Sequence, residues 1–216
     1  MDRRAHWEHV YHTKAPDSVS WFQAEARLSR ALIARLAPPR DAHIIDVGGG
    51  ASVLVDELLA LGYRNLSVLD VSAAALGHVR RRLGGAASGV TWIEGDALTT
   101  TLPAGHYDVW HDRAVFHFLT SPEDRARYVE QVRHAVRPGG IVLVATFAED
   151  GPTRCSGLEV ARYSPEALHG EFGADFELIE RERELHATPT GAQQAFTYCA
   201  CRFRPAGGAR GQGATA

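Results

Sequence analysis

Residues 43–50 read His43-Ile44-Ile45-Asp46-Val47-Gly48-Gly49-Gly50, and the rest of the chain can be ordered around them. Two branched apolar residues lead into an acid, the acid into three glycines, and the glycines into the amphipathic run from Ser52 to Leu61. The pattern is a buried strand that breaks at a tight turn and restarts as a helix. Glycines at such a turn let the backbone pass close to a ligand, and the free N–H groups of the new helix favour an anionic group. A second apolar stretch, Leu66-Ser-Val-Leu-Asp70, ends in another acid. A carboxylate at the end of the next strand sits beside the glycine turn and can accept both hydroxyls of a ribose. The chain therefore reads as a binder of a nucleoside-containing cofactor.

Outward from that run, strands alternate with helical patterns, which predicts a parallel sheet covered on both faces. A helix is expected over Ser20–Leu36, stopped by Pro38-Pro39, and Gly62 is expected to close the helix after the glycine turn. Ser72 reads as the cap of a helix with Leu76, Val79 and Leu83 inward, and Val90–Glu94 as the third strand. Tyr107–His111 is the fourth. The next helix has Pro122, Glu123 and Asp124 in its first turn, carries Val129, Val132 and Val136 on one face, and stops at Arg137-Pro-Gly-Gly140. Ile141–Thr146 is the clearest buried strand. A long connection over 148–162 follows, then a short helix from Ser164-Pro-Glu166. Strands near 176–186 and 194–203 close the pattern as an antiparallel hairpin around Thr188–Gly191. The expected fold is α/β: a doubly wound, mostly parallel seven-stranded sheet with helices on both faces and an antiparallel C-terminal hairpin. It is read as one domain over 1–204, with 1–38 as an N-terminal lid and helix and 205–216 as a disordered tail.

Composition narrows the function. The 216 residues are 45% hydrophobic and 23% charged, ordinary values for a soluble globule. The net charge of −3 has no basic block, which speaks against a nucleic-acid partner. No apolar run has the length of a membrane span, and the N-terminus does not read as a signal peptide. Cys155, Cys199 and Cys201 lack metal-ligand spacing, so no metal is expected, and free thiols in a reducing cytoplasm fit them.

Four stretches in order resemble the class I S-adenosylmethionine-dependent methyltransferases. Asp46-x-Gly48-x-Gly50-x-Ser52 is similar to that family's first motif, with Gly49 between the two glycines. Asp70, followed by Val71, matches the acid that holds the ribose. Gly95-Asp96-Ala97 matches the position where an Asp side chain and the next N–H read the adenine edge. Arg137-Pro-Gly-Gly140 before the fifth strand is a further signature. The resemblance implies S-adenosyl-L-methionine as cofactor. The competing dinucleotide fingerprint needs a third glycine where this chain has Val53.

Two more stretches refine the reading. His6-Trp-Glu-His-Val-Tyr11, followed by Ser20-Trp21-Phe22, resembles the segment that many small-molecule methyltransferases lay over the cofactor, which puts Trp21 and Tyr11 at the site. His111-Asp112-Arg113-Ala114 resembles the Trp-Asp-Arg-Gly of thiopurine-type methyltransferases, departing from it at its first and last positions.

In an open α/β sheet the ligand crevice lies where the strand order reverses, which places 46–50 opposite His111 and Asp112. His111 reads two ways: a general base, or a hydrogen-bond partner of the methionine amine. Asp112 either binds that amine or pairs with Arg113. The acceptor wall is expected from Tyr11, Arg113, Phe147, Arg154, Cys155 and Tyr163. The leading reading is methyl transfer to a small-molecule acceptor. A protein lysine methyltransferase of the same fold and a non-catalytic S-adenosylmethionine-binding protein are the alternatives.

Overall fold

The computed structural model describes residues 2–205; the expected tail lies, from residue 206, outside the described residues. The elements in order are α1 (Arg3–Thr13), α2 (Arg27–Leu36), β1 (His43–Val47), α3 (Leu54–Ala60), β2 (Asn65–Asp70), α4 (Ala73–Leu83), β3 (Val90–Glu94), β4 (Tyr107–Arg113), α5 (Pro122–Ala135), β5 (Val136–Phe147), β6 (Arg154–Cys155), β7 (Leu158–Glu159), α6 (Pro165–Phe172), β8 (Phe176–Ala187) and β9 (Gln193–Phe203). Seven strands form one sheet in the order β3-β2-β1-β4-β5-β9-β8. The pairs β1–β2, β1–β4, β2–β3 and β4–β5 are parallel, and β5–β9 and β8–β9 antiparallel. The expected seven-stranded α/β architecture with its terminal hairpin is present.

Alternation along the strands sorts the core into two layers. Ile44, Val109, Ile141 and Leu143 pack with Leu32 and Ile33 of α2, Leu54 and Leu58 of α3 and Val79 of α4. Ile45, Trp110, Val142 and Val144 point the other way, onto Tyr128 and Val132 of α5 and Leu168 and Phe172 of α6. Ser72, Ser121 and Ser164 each cap the N-terminus of the helix that follows, accepting from the third backbone N–H onward.

Three local expectations change. The helix expected from Ser20 begins only at Arg27. The carbonyls that would carry its first turns are used elsewhere: Ser20 O accepts from His186 Nε2 at 2.8 Å, and Trp21 O from Arg113 Nη1 at 3.4 Å. Val136 belongs to β5, pairing with Tyr107, because α5 ends one residue earlier. The long connection holds a small hairpin of its own, β6–β7, whose Ser156 and Gly157 take φ of +50° and +80°. Two successive left-handed residues are what a two-residue hairpin turn requires.

Candidate active site

The sheet order reverses between β1 and β4, and a cleft opens over their carboxyl ends, enclosing about 830 Å³ when its solvent-open mouth is counted. Its cofactor side is lined by Val47, Gly48, Leu69, Asp70, Val71, Asp96, Ala97 and Leu98. The opposite side is Trp7, Tyr11, Trp21, Arg113, Val115, Phe118 and Cys155.

Backbone geometry explains the glycine turn. Gly48 has φ +66°, and a Cβ there would overlap the Val115 side chain. A Cβ on Gly50 would sit 2.8 Å from Asp70 Oδ2 and 3.0 Å from the Tyr11 hydroxyl. The turn therefore stays bare so that β1, the lid and the end of β2 can converge.

Asp70 is 7% exposed and faces the cleft. Its Oδ1 accepts from Ser72 N at 2.8 Å. Burial, more than the nearby Asp46 carboxylate, pushes its pKa up to about 7. A buried carboxylate without a counter-charge is a strong acceptor for hydroxyl groups. Asp96 Oδ1 accepts from Leu98 N at 2.8 Å, and its Oδ2 lies 3.6 Å from Arg3 Nη1.

Asp46 and His111 are direct partners in the β1–β4 register. His111 Nδ1 lies 2.7 Å from Asp46 Oδ1; since a carboxylate only accepts, the imidazole donates there. His111 Nε2 is 2.9 Å from the Ser29 hydroxyl on α2. Both ring nitrogens are thus engaged, and His111 lines a neighbouring cavity rather than the main cleft. Gly48, Tyr11, Trp21 and Arg113 line both spaces. Asp46 Oδ2 is buried with no hydrogen-bond partner among the described residues. An orphaned carboxylate oxygen at the glycine turn fits the ammonium of a methionine moiety, as Asp70 fits a ribose.

Consecutive strand residues face opposite sides, so His111 and Asp112 do not share a site. Asp112 is fully buried on the α5 side. Its carboxylate accepts from Val115 N at 2.8 Å, from Phe116 N at 3.0 Å and from the Tyr128 hydroxyl. It ties the loop after β4 to α5 and pairs with neither Arg113 nor the cleft. Burial raises its pKa to about 6. Arg113, back on the His111 side, is held by Glu184 at 3.1 Å and by the Tyr198 hydroxyl at 3.0 Å, with its guanidinium 4.0 Å from the Phe196 ring centre.

The lid is a helix. Glu8 of α1 accepts from Ala73 N at 2.6 Å and Ala74 N at 3.3 Å, and from the Ser72 hydroxyl at 3.2 Å, so it caps α4. Arg3 pairs with Asp124 and Arg4 with Glu94. Trp7 then packs edge-on against Phe118 at 5.1 Å and Trp21 at 5.5 Å.

Of the expected acceptor wall, Tyr11, Arg113 and Cys155 reach the cleft. Phe147 does not: it is fully buried in the core against Phe196. Tyr163 packs toward Phe116 below the sheet, and Arg154 is exposed, donating to Gly157 O at 3.0 Å. The sequence reading missed Ser29, Phe118, Glu184 and Tyr198. Ser29 and Tyr198 have no local pattern to mark them. Trp7 is one of the lid-like stretch's aromatic residues, and Glu8 beside it has no signal of its own in the sequence.

A family model described as a methyltransferase domain matches residues 44–140, from β1 to the start of β5. A solved structure concerned with converting a disulfide bond into a thioacetal group during echinomycin biosynthesis superposes with a TM-score of 0.75, at 16% identity and 92% coverage of both chains. The Burkholderia thailandensis 1,6-didemethyltoxoflavin-N1-methyltransferase, solved with S-adenosylhomocysteine, gives 0.68 at 17% identity, covering 94% of this chain and 87% of that one. Among curated proteins, human EEF1A lysine methyltransferase 2 is 25% identical over 197 residues, 83% of this chain and 76% of its own length. The Danio rerio eEF1A lysine and N-terminal methyltransferase is 25% identical over 148 residues, 67% of this chain but only 21% of that protein. The chain thus spans about a fifth of the length of the zebrafish relative. Fold, site and family match define a class I methyltransferase domain. It is of the S-adenosylmethionine-dependent kind.

Proposed function

We propose that this domain methylates a small-molecule acceptor. The observation that carries the reading is the cluster of rings at the acceptor side of the cleft, where Trp7 of α1 packs on Trp21 and Phe118. An aromatic-lined pocket suits a compact ligand. An extended peptide would have to lift a helix that also caps α4. Among the described residues, no helix is long and apolar enough to cross a membrane, and the three free cysteines are buried, which suits a reducing cytoplasm.

In this reading Asp70 accepts the ribose hydroxyls, Val71, Asp96 and Ala97 frame the adenine, and Asp46, held by His111, takes the methionine ammonium. S-adenosylmethionine supplies a methyl group on a sulfonium whose sulfur departs neutral. The chain's residues then have no leaving anion to stabilise; they orient, and the lid excludes water.

The named relatives that methylate eEF1A lysines favour a second reading, a protein lysine acceptor. Calorimetry with S-adenosylmethionine, followed by assay of the demethylated product over thiol, ring-nitrogen, phenol and lysine-peptide acceptors, separates the two. Turnover with small acceptors and none with peptides is expected. Peptide-only turnover would overturn the proposal, and cofactor binding without any turnover would favour a non-catalytic binder.

A further inference from the structure

The first turn of α1 stands at the end of the cleft assigned to adenine. Arg3, Val71, Gly95 and Asp96 line the main cleft on one side and, with Asp2 and Arg4, a solvent-open depression on the other. These four residues are the partition between the two spaces. Three of them are fixed by the ends of β2 and β3: Gly95 N donates to Asp70 O at 2.9 Å, and Asp96 Oδ1 accepts from Leu98 N at 2.8 Å. Of the four, Arg3 alone has a long, rotatable side chain.

That side chain is held by two carboxylates from different elements. Its Nη1 lies 3.6 Å from Asp96 Oδ2, just after β3, and its Nη2 donates to Asp124 Oδ2 in the first turn of α5. A planar guanidinium can span two such acceptors at once, which a compact ammonium does poorly. The bridge is open to water: the side chains of Arg3, Asp96 and Asp124 are 36%, 33% and 22% exposed. Ion pairs of that exposure are weak and are screened by salt. The rest of α1 is seated separately, by Glu8 on the N-terminus of α4 and by Trp7 on Trp21 and Phe118. Rotation of one side chain therefore opens the bridge while the helix stays in place.

We infer that Arg3 gates the adenine end of the cofactor site. Swung out, it joins the cleft to the outer depression; bridged between Asp96 and Asp124, it closes the partition, with the cofactor present or absent. The inference rests on the placement of adenine at Asp96 and not on the identity of the acceptor. A gate is a barrier, so it slows entry and exit alike and leaves the equilibrium between them unmoved. A residue that only bound adenine would slow exit and leave entry as it was.

The test is stopped-flow binding of S-adenosylhomocysteine, read by the fluorescence of Trp7 and Trp21, which line the cleft. This ligand is a zwitterion without net charge at neutral pH, so salt acts on the gate more than on the ligand. In the wild-type protein both rate constants should rise about two- to fivefold between roughly 0.05 and 0.5 M sodium chloride, the span that loss of an exposed ion pair allows. Arg3→Ala should show the raised rates already at low salt, without further salt dependence and with a dissociation constant within about twofold of wild type. Arg3→Lys should fall between the two. Asp124 does not line the cleft, so Asp124→Asn acts on the ligand through Arg3 and should reproduce Arg3→Ala. Unchanged rates in Arg3→Ala, or faster exit with unchanged entry, overturn the gate; the second result would make Arg3 an ordinary cofactor contact. Asp96→Ala separates this from the reading beneath it. It should weaken binding at least about tenfold, and unchanged affinity would overturn the placement of adenine and the gate with it.

Discussion

At the scale of single residues, the departures from a familiar pattern are informative. Ala114 stands where the thiopurine-type sequence has glycine, and it holds φ +74°, a left-handed conformation that costs a non-glycine residue about 1–2 kcal/mol. Ala114→Gly should therefore stabilise the protein by roughly 1 kcal/mol, less the added flexibility of the unfolded chain, measured as a higher urea midpoint at unchanged slope. Asp70 carries a cost of the opposite origin. Its folded pKa of about 7 lies above the ordinary carboxylate value of 3.8, so between those two values the fold holds a proton that the unfolded chain has released. Stability then falls as pH rises through that window and is flat above it; Asp112, raised to about 6, adds to the same slope. Asp70→Asn should flatten the upper part of this profile in thermal melts from pH 4 to 8. The ionised form is the better acceptor, so binding of S-adenosylhomocysteine should tighten as pH rises through about 7, and Asp70→Ala should weaken it by about 1.5–3 kcal/mol. His111→Ala should act through the partner it holds: weaker cofactor binding in calorimetry, by about tenfold or more, with the pH dependence of saturated turnover unchanged. Loss of a pH limb in that variant would restore His111 as a base.

At the scale of elements, the strands and most helices were legible because their signals are local. Ile44-Ile45-Asp46 with three glycines, the Ser72 cap, Pro122 with its following acids and the apolar run at 141–146 each carry their own period or terminus. The site was legible only where a motif marked it. Asp46, Asp70 and Asp96 fall at strand ends, where the sequence placed them. The acceptor wall did not follow, because Phe147 and Tyr163 look like pocket aromatics until alternation along β5 and the packing of α6 turn them inward. The false helix over Ser20–Ala26 has the same cause: its carbonyls are claimed by His186 and Arg113, which no window of neighbouring residues contains. The lid helix α1 makes its own prediction. Glu8→Ala removes a cap on α4 worth about 1 kcal/mol and loosens the lid at the same time. It should leave the far-ultraviolet spectrum unchanged and speed dissociation of S-adenosylhomocysteine in stopped flow. Deleting residues 2–19 should keep the sheet folded and abolish turnover; failure to fold would make α1 part of the core.

At the scale of the whole molecule, the cleft sits where the parallel strands part, yet what closes it comes from both ends of the described chain. Trp21 and Gln23 from the N-terminal side meet Glu184 and His186 of β8, with Arg113 of β4 between them. Ser20 and His186 are 166 positions apart. A ribosome makes the lid well before the strand that anchors it. While β1 to β5 emerge, the glycine turn and Asp70 can already assemble, because their contacts are between neighbours in the order of synthesis. The carbonyls of Ser20 and Trp21 must wait for a strand that is still unmade, and β8 must itself wait for β9 to attach it to β5. The adenosine half of the cleft can therefore form on the nascent chain before the acceptor half, which is completed only once β8 and β9 have been made.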